Sequence, residues 1–172
     1  MAYLYLKQKV FSIGEKYTFY DENQNVIFTS KGSFFKIPKR YQIFSAEAPE
    51  TPIVDITRAV FAMTPQFQVK DPASGNLLCK VNQRFRLGSP RFNVETPVGM
   101  HEIIGKILAH DFKIEDPNKE VILTVKRKWI SWGDTYEIFF NPQKVSAKIA
   151  AALVLTIDCA IHSNNSSFGQ IF

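Results

Sequence analysis

Aromatic and aliphatic residues alternate with polar residues in short stretches along most of this chain of 172 residues. Two apolar residues that stand two positions apart lie on the same side of a β-strand. An aromatic residue, then a second large apolar residue, then Asp occur with this spacing in residues 17–21, 67–71 and 112–116. Weaker copies of the spacing occupy residues 41–45, 92–96 and 136–138. The pattern predicts strands with one buried face.

Turn-forming residues follow these stretches, and apolar strands then return. Residues 21–25, 71–76 and 116–119 are rich in Asp, Asn, Pro and Gly, the residues that favour turns. A unit of turn, strand, turn and returning strand therefore recurs about every two dozen residues. Six units predict a mainly β fold of about twelve antiparallel strands, and a sheet of that width tends to close.

Two segments near opposite ends of the chain match closely, which strengthens the repeat. Residues 11–17 and 130–136 both contain Ser, Gly, an acidic or polar residue and Tyr at the same spacing. Gly14 and Gly133 occupy equivalent places in these segments. We interpret them as structural turn glycines that permit positive φ.

The last part of the chain has a different pattern. Asn141 and Pro142 form an N-cap and first-turn signal, and the following residues to His162 are rich in Ala, Leu, Ile and Val. This predicts a helix over about 142–162 within a single domain of residues 1–162, followed by a polar tail, 163–172. A helix that is apolar on all sides must be surrounded by protein or by lipid. Because the uninterrupted apolar run 149–157 is shorter than the ~20 residues of a membrane span, we favour a helix in the centre of the barrel over membrane insertion.

Three segments resemble one known family. Residues 3–17, 125–138 and 153–162 are similar to bacterial members of the LURP-one-related family, part of the tubby C-terminal-like superfamily. The resemblance implies a closed antiparallel barrel wrapped around a hydrophobic C-terminal helix. Tubby domains bind phosphoinositides through basic residues, and the related phospholipid scramblases act at membranes. No basic residue here matches tubby's lipid-binding positions, so none of those positions is carried over.

Charge and cysteine content narrow the choice of compartment and partner. The formal net charge of +5 suits an anionic partner, although solubility alone would also account for it. Cys79 and Cys159 stand far apart in apolar surroundings and predict buried thiols without a disulfide. The first residues lack a signal-peptide pattern. We therefore expect a cytoplasmic protein that can be peripheral at the membrane.

No catalytic or metal-binding motif occurs in the sequence. The three histidines have no metal-ligand spacing, and no phosphate-binding loop or nucleophile elbow is present. We expect a non-enzymatic protein without a cofactor.

Asp158 is the most informative single residue. A carboxylate on an otherwise apolar helix needs a partner if it is buried. Arg127 and Trp129 share a strand face, and if that face lines the barrel, Arg127 points towards the helix. We predict that Arg127, or a backbone or ring N–H nearby, bonds Asp158. A solvated Asp158 at the barrel mouth is the alternative.

Basic residues with aromatic neighbours are the candidate binding residues. Lys126 and Lys128 would face outwards beside Trp132, which we assign a structural role. The sequence contains two further basic clusters. One is Lys36, Lys39 and Arg40, and the other is Arg84, Arg86 and Arg91. Such clusters suit lipid headgroups or nucleic acid, and a plain solvated surface would contain them too.

The leading functional hypothesis is a binding or scaffold domain that contacts anionic phospholipid headgroups. The alternative is a protein–protein regulatory adaptor without a lipid partner, and nucleic acid is not expected as a partner. A carrier of a small apolar ligand is a third hypothesis, which an interior cavity would favour.

Overall fold

The computed structural model describes residues 1–9, 16–33, 37–84, 91–130 and 133–168. These contain twelve β-strands, a 3₁₀ helix at Ile107–Ala109 and one long α-helix, α1, at Ala147–Phe168. The strands in chain order are β1 Ala2–Lys9, β2 Lys16–Tyr20, β3 Val26–Gly32, β4 Arg40–Ser45, β5 Pro52–Arg58, β6 Gln66–Lys70, β7 Leu77–Arg84, β8 Arg91–Thr96, β9 Gly99–Lys106, β10 Asp111–Glu115, β11 Val121–Ile130 and β12 Gly133–Phe140.

All twelve strands join into one closed antiparallel barrel. Each strand pairs with its neighbours in sequence, and β1 pairs with β12 to complete the circle. That seam runs from Ala2 opposite Phe140 to Lys7 opposite Thr135. The predicted fold class, a closed barrel of about twelve strands with a C-terminal helix, is therefore confirmed.

Alternating side chains supply the barrel interior. In β6 the pattern of exposed and buried residues alternates strictly, with Phe67 and Val69 inside. Tyr41 and Ile43 of β4 are buried in the same way. The repeated spacing of aromatic and aliphatic residues is thus the inner face of the barrel, because neighbouring side chains of a strand point to opposite faces.

Helix α1 fills the space that these strands enclose. Every residue from Ala150 to Ile161 is buried, so the helix contacts protein on all sides. The buried hydroxyl of Thr156 donates a hydrogen bond to the carbonyl oxygen of Ala152 at 2.6 Å. Within the described part of the chain, no helix combines the length and apolarity that crossing a membrane requires.

The helix bounds differ from the predicted 142–162 at both ends. Asn141 begins a separate turn, because its carbonyl oxygen accepts the N–H groups of Lys144 and Val145, and its side chain accepts that of Gln143. The helix starts only after Ser146, whose carbonyl oxygen accepts from Ala150 N–H. The backbone then stays helical to Phe168, beyond the predicted helix end at 162, and the boundary between domain and polar tail stays a prediction. Adding a residue to an existing helix costs less than starting one, which lets polar residues continue it.

The connections between strands lie alternately at two ends of the barrel. We call the end with connections 21–25, 46–51, 71–76, 97–98 and 116–120 the turn end. The other, with the described connections 37–39, 59–65 and 107–110, is the loop end. Helix α1 enters at the turn end, where Lys148 pairs with Asp71 at 3.3 Å. It runs towards the loop end, where Asp158 meets Tyr17 and His110.

Candidate functional site at the loop end

Exposed apolar side chains stand on the connections of the loop end. Phe61 and Met63, on the connection between β5 and β6, are fully exposed. Ile37, on the connection between β3 and β4, is 85% exposed, and Leu108 of the 3₁₀ helix is more than half exposed. Exposed apolar groups that lie together mark contact surfaces, and Phe61 and Met63 stand two residues apart on one connection.

Basic residues accompany these apolar groups. They lie at the strand ends next to the loop end: Arg40, Arg58, Arg84, Arg91, Lys106 and Lys128. The turn end has the opposite character, because its connections contain Asp21, Glu47, Asp71, Asp116 and Glu120. The loop end of the barrel is therefore more basic, and the turn end is more acidic. Because of this charge difference, an external electric field orients the barrel.

A cavity of about 470 Å³ opens beside the loop end. It is lined by Lys106, Ala109, Asp111, Lys126 and Arg127, so three cationic side chains face one carboxylate. Lys106 and Lys126 are exposed, and neither takes part in an ion pair among the described residues. The arrangement favours an anionic ligand the size of a lipid headgroup, because the ammonium groups of Lys106 and Lys126 can form charge-assisted hydrogen bonds with it.

The predicted pair Lys126 and Lys128 is split by the structure. Lys126 lines the cavity, whereas the Nζ of Lys128 lies 2.9 Å from a carboxylate oxygen of Glu137 on β12. That hydrogen bond raises the pKa of Lys128 above its ordinary value. Lys128 is thus engaged within the barrel wall, and the cavity gains Lys106 instead, which sequence reasoning did not name.

The second predicted cluster is only partly described. Arg40 makes a two-pronged ion pair with Asp55, with its Nε 3.0 Å from Oδ1, and this contact raises the pKa of Arg40. Lys39 is half-buried beside it. Lys36 lies outside the described residues. In the third cluster, Arg84 and Arg91 are exposed and directly opposite across β7 and β8, and Arg86 lies outside the described residues.

Beneath the loop end, Asp158 is buried in a polar network. Only 1% of it is exposed, and its carboxylate accepts a hydrogen bond from the Tyr17 hydroxyl at 2.6 Å. Its other oxygen lies 2.7 Å from Nε2 of His110, whose ring stacks on Tyr136 with centroids 4.3 Å apart. The alternative of a solvated Asp158 at the barrel mouth therefore does not hold.

The partners of Asp158 were only partly foreseeable. A ring nitrogen was one of the expected partners, and that of His110 is present. Tyr17 carried a signal, since it heads the first clear copy of the strand repeat. His110 carried none, because it stands in a left-handed conformation (φ 52°) after the 3₁₀ helix, where no periodic pattern applies. A bond from Arg127 stays a prediction.

Two other residues with predicted structural roles belong to the β11–β12 hairpin. Gly133 begins β12 opposite Ile130, and Trp129 of β11 stands opposite Asp134. Trp132 and Gly14 lie outside the described residues, so their predicted roles stay predictions. Across the described ranges, no cluster of His, Cys, Asp and Glu could hold a metal ion.

Comparison with known proteins identifies the family. The family model described as LURP-one-related matches residues 3–158. The chain is also similar to a Bacillus subtilis (strain 168) protein named "Uncharacterized protein YxjI", with 24% identity over 165 residues, 95% of this chain and 96% of that protein. Because the family model covers nearly the whole barrel and most of α1, this chain belongs to the LURP-one-related family.

Proposed function

We propose that this domain is a non-enzymatic binding module that docks its loop end on membranes containing anionic phospholipids. The observation that carries the proposal is the pairing of exposed Phe61 and Met63 with basic residues at one end of the barrel. Apolar side chains gain by entering the boundary between headgroups and acyl chains, roughly 5–10 Å deep. Each Lys or Arg near an anionic surface adds about 1 kcal/mol.

The cavity beside the loop end supplies a place for a phosphate. Lys106, Lys126 and Arg127 surround it, and its volume of about 470 Å³ accommodates a headgroup. Asp111 at the same cavity opposes the anion and keeps the site from becoming a strong trap for free phosphate. The loops would then provide attachment and the cavity would favour anionic lipids over neutral ones.

A protein partner is the second candidate, and the same exposed apolar residues favour it. Phe61 and Met63 could insert into an apolar pocket of another protein as readily as into a membrane. The two functions differ in their need for charge, because a protein pocket does not require anionic lipid.

Co-sedimentation with vesicles tests the proposal. Purified protein is mixed with neutral vesicles and with anionic vesicles at low and at physiological salt. We expect binding to anionic vesicles only, weakening as salt rises because the exposed charges become screened. Lys106→Gln with Lys126→Gln should reduce binding at least several-fold.

Two variants separate charge from insertion. Lys70→Gln with Lys80→Gln removes the same charge on β6 and β7, outside the cavity, and should reduce binding less. Phe61→Ser with Met63→Ser should abolish binding while leaving the melting temperature unchanged, because both side chains are fully exposed. No binding at either salt would overturn the proposal. Capture of a protein that requires Phe61 and Met63 would then support the adaptor.

A further inference from the structure

A second cavity, of about 220 Å³, lies at the turn end between the start of α1 and the wall formed by β7 to β11. Its lining is mostly apolar and reaches into the core. The interior part of that lining is Cys79, Val94, Ile114, Ile122, Ile149 and Leu153. Val98, which is 82% exposed, and Lys144 also line it and mark its opening to solvent.

This volume is large for a space that reaches into a protein core. Protein cores are packed as densely as organic crystals, and the few voids they contain rarely exceed a water molecule. An engineered apolar cavity of roughly 150 Å³ is known to stay dry and to bind benzene. A cavity of 220 Å³ lined by aliphatic side chains therefore suits a molecule somewhat larger than benzene.

The polar groups around the cavity are already occupied by protein partners. The Thr96 hydroxyl donates to the carbonyl oxygen of Gly99 at 3.0 Å, and Nδ1 of His101 lies 3.3 Å from the same oxygen. Burial raises the pKa of Cys79 to about 12, so its thiol stays uncharged. The lining therefore offers an incoming molecule contact area, with few hydrogen bonds to make.

The carboxylates at the opening of the cavity exclude fatty acids as ligands. The Nζ of Lys144 lies 2.8 Å from Asp116 and also pairs with Glu120, so two carboxylates surround one ammonium. A fatty acid would bring a third carboxylate to this position. An uncharged head group meets no such repulsion.

We propose that this cavity is a binding site for a small uncharged apolar molecule, an alkyl alcohol or a monocyclic aromatic of about six to eight carbon atoms. The site is independent of the proposed membrane contact, because it lies at the opposite end of the barrel. The carrier hypothesis, which depended on an interior cavity, is consistent with it. Helix α1 occupies the barrel centre and leaves this space beside its first turns.

Titration with 1-octanol and with octanoate tests the proposal. Methyl NMR spectra of the full chain should show octanol perturbing Ile114, Ile149 and Leu153, and the melting temperature should rise with its concentration. Octanol should bind at least tenfold more tightly than octanoate. The absence of methyl shifts at saturating octanol would overturn the proposal, as would equal binding of both probes.

Substitutions that fill the cavity test where octanol binds, and a substitution elsewhere in the core is the matched control. Cys79→Leu with Val94→Leu adds side-chain volume to the lining and should remove the octanol response without lowering the melting temperature. Val54→Leu adds volume at a fully buried core position that does not line this cavity. It should lower the melting temperature yet keep the response. If the double variant does not fold, Ile149→Phe fills the same space from a half-buried position. An unchanged octanol response in a filled variant would show that octanol binds outside this cavity and would overturn the proposal.

Discussion

The two ends of the barrel are built from the same strand repeat but are stabilised in different ways. At the turn end, the carboxylates of Asp21, Asp71 and Asp116 accept backbone N–H groups from residues two to four positions later. Each of these turns is therefore held by hydrogen bonds between residues that are close in sequence. Asp71 also anchors the helix through Lys148, and Asp116 holds the turn before the helix through Lys144.

At the loop end, the buried side-chain contacts of Asp158 join residues far apart in sequence. Tyr17 and Asp158 are separated by 141 positions, and His110 and Asp158 by 48. The network lies beneath the connections, so the apolar tips above it remain exposed to solvent. The comparison indicates that buried long-range bonds fix the strand ends there, which leaves the loop residues available for recognition.

The largest expected effect comes from removing the hub of the loop-end network. Asp158→Ala leaves the Tyr17 hydroxyl and the His110 ring buried without their acceptor, and should lower the free energy of unfolding by about 3–5 kcal/mol. Chemical denaturation measures the loss. Thr156→Val, on the same buried helix, removes only an intrahelical bond and should cost about 1 kcal/mol. An unchanged stability of Asp158→Ala would show that the network does not hold this end.

A smaller loss should follow from a backbone contact near the same end. Gly105 has a φ of +131°, and a Cβ there would lie 2.5 Å from the carbonyl oxygen of Asp111. Gly105→Ala should therefore destabilise the barrel by about 2–3 kcal/mol, since β9 and β10 must separate or the backbone must change. Thermal unfolding checks this. Gly75→Ala is the control, because its φ is also positive but no atom lies within 4 Å of the added Cβ. Equal losses would attribute both effects to backbone strain alone.

The turn end should respond to acid, with a smaller effect. Hydrogen bonds from Asn25 to Asp21, from the Ser74 backbone to Asp71 and from Lys144 to Asp116 hold the pKa of each carboxyl below its ordinary value of 3.8. The unfolded chain then binds protons more readily, so this stabilisation is present above pH 3.8 and is lost as the pH falls through the lower folded values. We expect the melting temperature to drop on acidification below about pH 4.

Substitution of all three carboxylates isolates that contribution. The triple variant Asp21→Asn, Asp71→Asn and Asp116→Asn keeps an oxygen acceptor in each turn and should flatten the acid part of the melting curve. Glu22→Gln with Glu50→Gln removes exposed carboxylates elsewhere at the same end. A triple variant with the acid sensitivity of the unmodified protein would contradict the assignment.

Periodic features were predictable from the sequence, and contacts between distant irregular positions were not. Phe67 and Val69 fall on the inner face because the strand period fixes it, and Asp71 ends its strand because turn chemistry is local. The helix start was misplaced because Asn141 and Pro142 form a turn with the same residues that cap helices. Lys106 and Lys126 share a cavity only because β9 and β11 flank β10, and a single strand pattern carries no information about which neighbours it will have.

The seam between β1 and β12 also has a consequence for how the protein is made. Ala2 pairs with Phe140, and the helix that fills the barrel follows every strand in the chain. During translation, the first strands leave the ribosome long before their partners and before the residues that cover their inner faces. Pairings between such distant segments form slowly, and unpaired apolar strands are prone to aggregate. The nascent chain should therefore depend on chaperones until α1 has been synthesised, after which folding can proceed in one cooperative step.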